Sequence, residues 1–415
     1  MARLLCAVVC ACAASASLPA LRPRKSTLAC ADPLAAQDFT LKYIGGLFTD
    51  QRVDGGNGSC AIIKWVDFTP WDAENAHNEQ FHFHFVQASR NPSGPLSLVQ
   101  MEGYVEWLHG DLNANQRDEL SDQHVTLAAG NLDAFATLYR RDGVPFSSWA
   151  RPLAADGSGN RTMYSVLVQV PHGILVEIVS DVFDSFEGKA YDDEEPSCAP
   201  RNIPTFSKAY FEALRTREPF SSEQLPVVVP HSMSFASTHP AEAAQFVEQF
   251  MGGPVVPQSL PEGCDGEIVI GLNSFENPTY PFYIQWLHHP KARKGSIGLS
   301  ETEEYLEMLH GNLTEDHYDQ YMDDHLGMET VQRGDSAFGP FVDEWRTAGL
   351  EWFHRMAAWD GVDSFLEAPG GVILETMVAE ADGTHFGLAV VDWDICSPLP
   401  APARRVPLPG RPATA

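Results

Sequence analysis

Positive charge is scarce in this chain. Lys and Arg together number 27 against 56 Asp and Glu, which gives a formal net charge of −29 over 415 residues. Nucleic acids and anionic membrane surfaces attract basic patches, so this balance argues against both as partners. The plainer role of the acidity is to keep a secreted protein soluble. Also missing are a glycine-rich phosphate loop, a G-x-S-x-G elbow and a Cys-x-x-Cys pair. Their absence removes the familiar signatures of phosphate cradling, serine hydrolysis and dithiol redox work. Beyond the N-terminus no apolar run is long enough to cross a bilayer as a helix. What is present is an ordinary 44% apolar content and enough length for two domains, each with its own core.

Residues 1–20 read as a signal peptide. Arg3 is the charged start, Leu4–Ala13 the short apolar run, and Ala14-Ser15-Ala16 the small-residue cleavage site. A secretory route follows. The run of Arg22, Arg24, Lys25, Ser26 and Thr27 leaves a plastid-type transit sequence as the alternative. Of 8 cysteines, Cys6, Cys10 and Cys12 leave with the signal. Cys60 and Cys264 occupy matching places in the two halves of the chain, and Cys198 and Cys396 each follow the last strand of their half. Symmetry suggests disulfides Cys60–Cys198 and Cys264–Cys396, against the plainer reading of buried free thiols. Cys30 is left over. Asn57, Asn160 and Asn312 stand in N-x-S/T sequons, which suits a secreted glycoprotein.

The chain repeats itself. Gly103–Leu112 returns as Glu304–Leu313, with Tyr, Glu, Leu, His and Gly in the same order. Asp122–His124 returns as Asp323–His325, Pro33–Gly46 as Pro240–Gly253, and Pro171–Glu177 as Pro369–Glu375. The chain is therefore a tandem duplication. The expected division is a first domain over 24–190, a linker over 191–227, a second domain over 228–397, and a disordered Pro-rich tail over 398–415.

The second half shows a local pattern. His231–Ser237 alternates like a strand, and Pro240 opens a helix with Phe246, Val247, Phe250 and Met251 on one face. Glu267–Leu272, Phe282–Leu287 and His325–Thr330 read as strands. Phe341–Gly349 reads as a helix, followed by strands over Phe353–Ala358, Ser364–Glu367 and Gly371–Val378. Each half thus holds two strand–helix–strand–strand–strand units, and four units fill the chain. A short helix falls near Phe206–Leu214 in the linker.

This order of short motifs resembles the vicinal oxygen chelate superfamily, which includes glyoxalase I, extradiol dioxygenases and bleomycin-resistance proteins. The matching pieces are His231–Phe235 with Pro240–Gly253, Asp324–Met328, and Phe365–Glu375. The resemblance implies an α+β fold of two tandem domains, each a curved eight-stranded mixed sheet made of two βαβββ units. It also implies metal ligands on the first and last strands of each unit. Carried onto this sequence, the second domain offers His231, Gln285, His325 and Glu375, with Glu375 as the catalytic carboxylate. The first domain offers a weaker set of His84, His124 and Glu177, because Arg24 falls opposite His231 and arginine does not ligate a metal. The implied cofactor is a divalent ion, Zn, Fe, Ni or Mn, bound by oxygen and imidazole donors.

The residues themselves support this reading. Glu375 and Glu177 lie within apolar strands, where a carboxylate is costly to bury without a partner. A metal is one partner, and a salt bridge or a solvated strand face is the plainer one. His82 shares a strand face with His84, while His109 and His310 precede glycines at predicted helix ends and read as structural. His288 and His289 lie at a strand end and suit either role. Two functions follow. One is a metal-dependent lyase, isomerase or dioxygenase acting on a small oxygenated molecule. The other is a secreted small-molecule-binding protein without catalysis on the same fold.

Overall fold

The computed structural model describes residues 18–29, 33–48, 61–68, 81–88, 124–153, 161–171, 175–190, 208–216, 225–236, 240–253, 255–256, 269–272, 282–287, 325–350, 352–357, 361–369 and 372–379. The proposed signal core, all the cysteines, the three sequons, His109, His310, His288, His289 and the tail lie outside them.

Four units of the expected order are built. Unit one is β1 (Leu21–Ala29), α1 (Pro33–Tyr43), β2 (Leu47–Phe48), β3 (Ala61–Phe68) and β4 (Phe81–Ala88). Unit two is β5 (His124–Ala129), α2 (Asp133–Asp142), β6 (Phe146–Leu153), β7 (Arg161–Gln169) and β8 (Leu175–Ser180), followed by β9 (Lys189–Ala190). The linker helix α3 spans Lys208–Arg215. Unit three is β10 (Val228–Ala236), α4 (Pro240–Met251), β11 (Val255–Val256), β12 (Val269–Leu272) and β13 (Phe282–Leu287). Unit four is β14 (His325–Thr330), α5 (Asp335–Ala348), β15 (Phe353–Ala357), β16 (Gly361–Ala368) and β17 (Val372–Ala379).

The units form two mixed sheets, of eight and nine strands, in an α+β fold. The pairing is not the one the halves of the sequence suggest. Sheet I runs β15-β16-β17-β14-β1-β4-β3-β2 and joins unit four to unit one. Sheet II runs β11-β12-β13-β10-β5-β8-β7-β6-β9 and joins unit three to unit two. The division into self-contained domains at 24–190 and 228–397 is corrected accordingly. Each first strand pairs antiparallel with the first strand of a unit from the other half: β1 with β14 and β5 with β10. All four units share one order of elements, and that order does not itself select the partner. The first domain also begins earlier than residue 24. Leu18 packs against the core, and the Ala20 carbonyl accepts from the Val331 amide at 3.0 Å.

Strand alternation assigns the two faces of each sheet. One face carries Phe81, Phe83, Val125, Leu127, Met233, Phe235, Ile284, Leu326 and Leu374 into a single core shared with the helices. On this face the two sheets meet back to back. Ser26 Oγ donates to Met233 Sδ at 3.3 Å, and the rings of Phe81 and Phe282 lie 5.9 Å apart. Trp345 Nε1 of α5 donates to the Phe250 carbonyl of α4 at 2.9 Å, and Tyr139 Oη of α2 donates to the Tyr43 carbonyl of α1 at 2.8 Å. The opposite faces carry the polar residues of interest, so the two candidate sites point away from each other.

Candidate functional site

The four central strands of each sheet set two rows of register positions on its polar face. In sheet I one row is His82, Lys25, Gly327, Glu375 and the other is His84, Thr27, His325, Ile373. In sheet II the corresponding rows are Tyr283, Ser232, Thr126, Glu177 and Gln285, Ser234, His124, Leu175. The predicted residues are therefore brought together in a different grouping. His84 of the first half joins His325 and Glu375 of the second. Gln285 of the second half joins His124 and Glu177 of the first. The expected quartet of His231, Gln285, His325 and Glu375 does not converge, and neither does the trio of His84, His124 and Glu177. The cause is the exchange of units between sheets.

His231 fails for a second reason. The antiparallel ladder shifts register between Pro230 and Ser232, as it does between Pro23 and Lys25. A proline has no N–H to give a central strand and is accommodated there by a bulge. The bulged residues are His231 and Arg24. Ser26 and Met233 stand 207 residues apart, and the same spacing relates Arg24 to His231, Lys25 to Ser232 and Thr27 to Ser234. His231 turns toward Tyr283 and Tyr210, with ring centroids 5.6 and 6.4 Å away, and its Nδ1 lies 3.1 Å from Ser232 Oγ. The rows are filled by Lys25 and Thr27 in sheet I and by Ser232 and Ser234 in sheet II. Sequence reading missed these four, although a proline at the same place in both first strands signals the bulge.

In sheet I the Lys25 Nζ lies 2.7 Å from Glu375 Oε2, and His325 Nε2 lies 3.2 Å from the same oxygen. The Thr27 hydroxyl meets His325 Nε2 at 2.9 Å. Glu375 and His325 are fully buried and Lys25 is 4% exposed, so the ion pair is dry. Gly327 makes it possible: a Cβ there would stand 2.6 Å from Lys25 Cγ and 2.9 Å from Glu375 Oε2. His82 stacks on His84 at 4.4 Å, and its Nδ1 lies 3.9 Å from Asp67 Oδ1. Burial pushes the Asp67 carboxyl up to about 6, against the pull of Arg24. Farther along the face, Arg22 binds Glu329 at 2.9 Å.

In sheet II the buried carboxylate is held differently. The Thr126 hydroxyl donates to Glu177 Oε2 at 2.9 Å, and His124 Nε2 lies 3.7 Å from that oxygen. The Ser234 hydroxyl lies 3.3 Å from His124 Nε2. Gln285 Nε2 donates to Ser232 Oγ at 3.3 Å, which links the amide to His231 through one hydroxyl. The linker helix α3 covers the rest of this face. Tyr210, Phe211 and Leu214 pack on Ala128, Met163, Val179, Val227, Val229 and Tyr283, while Arg215 binds Asp181 at 2.6 Å.

Among the described residues these contacts do not compose a nucleophilic relay. A triad needs the hydroxyl and the carboxylate on different ring nitrogens, whereas here both lie against Nε2 of the same histidine. Among the described residues no three of His, Cys, Asp and Glu come together as metal ligands. Sheet I does not fit a divalent ion, because an ammonium already sits on the carboxylate that would bind it. Sheet II fits one better, with an imidazole, a carboxylate and the amide oxygen of Gln285 on one face.

No protein-family model matches the chain, and no curated protein matches it. Its fold is similar to solved structures. Glyoxalase I from Zea mays is 9% identical, with 86% of this chain and 92% of that one covered at a TM-score of 0.45. A candidate dioxygenase from Bacillus subtilis is 11% identical, with 87% and 86% covered at 0.46. A mutant 4-hydroxymandelate synthase from Streptomyces coelicolor is 12% identical, with 87% and 93% covered at 0.25. Likeness at this level decides nothing about chemistry.

Proposed function

We propose that this chain, whose paired βαβββ units form the vicinal oxygen chelate architecture, is a metal-dependent enzyme of that type acting on a small oxygenated substrate at sheet II. The reading rests on one observation. His124 and Glu177 face each other at 3.7 Å with Ser232 and Thr126 as row neighbours, where sheet I has Lys25 and Gly327. His124, Glu177 and Gln285 would hold the ion, with Zn, Fe, Ni and Mn all compatible with such donors. When bound, the ion would act as a Lewis acid on a substrate oxygen.

The chain's own residues do the rest. Thr126 holds Glu177 Oε2 in place, so the carboxylate is aimed to take a proton from the substrate, the role expected of Glu375. Glu375 is unsuited to it, because the Lys25 ammonium already occupies its Oε2 at 2.7 Å. Helix α3 seals the face beyond His231, which confines the substrate to the rows of Gln285 and Glu177 and keeps it small. Lyase or isomerase chemistry suits the amide–imidazole–carboxylate set. The secretory route belongs to the same proposal, and N-terminal sequencing of the mature protein tests it, since a chain still beginning before Ala14 would rule out signal cleavage.

Elemental analysis of the purified protein tests the metal. Bound divalent metal disappears in His124→Ala and Glu177→Gln and persists in His325→Ala. The reverse pattern, with His325→Ala losing the metal, would move the site to sheet I and end this reading.

A further inference from the structure

We infer that sheet I is a metal-excluding counterpart of sheet II, in which the Lys25 ammonium is a built-in cation occupying the place of the ion. The inference concerns sheet I alone and stands whether or not sheet II binds metal.

Two positions of the row differ together. On the first strand of the row sheet I has Lys25 and sheet II has Ser232. On the strand beside it sheet I has Gly327 and sheet II has Thr126. Each combination meets the same problem, a buried glutamate at the next position, Glu375 or Glu177. In sheet II the threonine side chain fills the space and its hydroxyl satisfies the carboxylate. In sheet I the glycine empties that space and the lysine stem passes through it, bringing Nζ to 2.7 Å from Glu375 Oε2. The crosswise combination, lysine with threonine, is overpacked, because a Cβ at position 327 would stand 2.6 Å from Lys25 Cγ and one of the two must shift.

The remaining donors of sheet I are good metal ligands by type. His84 and His325 are imidazoles and Glu375 is a carboxylate; all three stand on one face, with β1 between the strand of His84 and the strand of His325. His325 Nε2 and Glu375 Oε2 are already 3.2 Å apart. Lys25, on β1, closes this pair to a cation, and a ligating side chain in its place would be the third donor. An ammonium on the carboxylate supplies the positive charge and repels a second one. The ligand class this site refuses is thus the divalent transition metals. Removing one side chain should admit them.

The experiment uses the full-length chain carrying His124→Ala and Glu177→Gln, so that sheet II contributes no metal. Zinc alone is the probe, followed by calorimetric titration and by the shift of the melting temperature. With Lys25 in place, no zinc binds and the melting temperature does not move. Adding Lys25→His or Lys25→Gln creates one zinc site per chain, and zinc raises the melting temperature. If either variant is unfolded without zinc, recovery of its circular dichroism on refolding with zinc supports the inference, and failure to recover counts against it. Zinc binding with Lys25 intact that is lost on His325→Ala overturns the inference, as do folded Lys25 variants that ignore zinc. Failure of the sheet II reading is visible separately, as absence of metal from the unmutated protein.

Discussion

Sheets I and II are built from units of the same element order, yet they hold the corresponding buried glutamate by different means. Sheet I uses a charge, the ammonium of Lys25 at 2.7 Å. Sheet II uses a hydroxyl, that of Thr126 at 2.9 Å. The surroundings differ in the same sense. Sheet I's polar face is ionic along its length, with Arg22–Glu329 and Asp67 beside His82. Half of sheet II's face is apolar and lies under α3. A fully compensated ionic face is stable but chemically occupied. This difference, more than the loss of any single ligand, separates a structural site from a candidate reactive one.

The largest effect that would break the comparison comes from removing one side of the ion pair. Lys25→Met leaves Glu375 buried without its cation, and a loss of about 3–5 kcal/mol in denaturant unfolding is expected. Lys25→Met with Glu375→Gln should recover most of it, because no charge is then stranded. A double variant as unstable as the single one would show that the ammonium acts through packing.

Next is the pH dependence of Asp67. Its carboxyl is held at about 6 folded against an ordinary 3.8, because burial disfavours the charged form. The folded state therefore binds the proton more tightly. That contribution is fully present below about 3.8 and is lost as pH rises through about 6. The difference is worth at most about 3 kcal/mol. Asp67→Asn should flatten the stability profile between pH 4 and 6 and be the more stable protein above it. Parallel profiles for the two proteins would contradict this.

Smaller still is Gly327→Thr, which imposes the sheet II residue on sheet I and should cost about 1–3 kcal/mol through overpacking against Lys25. Combined with Lys25→Ser the cost should fall, and a double-mutant cycle measures that coupling. The smallest change is Arg215→Ala, which frees α3 from Asp181 and the Gly130 carbonyl. The pair is partly exposed, so about 0.5–1 kcal/mol is expected. Faster hydrogen exchange confined to α3 would identify it as the mobile cover of sheet II.

Much of this was legible in the sequence, unevenly. Strands β13 and β14 run over Phe282–Leu287 and His325–Thr330 as read from their apolar pattern. Helix α5 starts at Asp335 rather than near Phe341, because Pro340 lies inside it and proline ordinarily marks a boundary. The α+β class and the unit count were also legible, since periodicity and repetition are local. Which units pair was not, since the repeated order of elements carries no label for the partner. The candidate residues His84, Gln285, His124, His325, Glu177 and Glu375 all face the polar sides of the sheets, but their grouping depended on that pairing. The exception is His231, which was readable in principle from Pro230.

The exchange of units also has a consequence in time. Thr27 of β1 meets His325 of β14 across 298 residues of chain. At a synthesis rate of about 5–20 residues per second, β1 emerges roughly 15–60 s before its partner exists. Until then one edge of the first unit is an unpaired ladder, of the kind that invites pairing with a neighbouring chain. Sheet II has no such wait on the same scale, since His124 meets Ser234 across 110 residues. The metal-excluding sheet is therefore also the last to close, and the folding yield of the whole chain depends on protecting one open edge until the final unit is made.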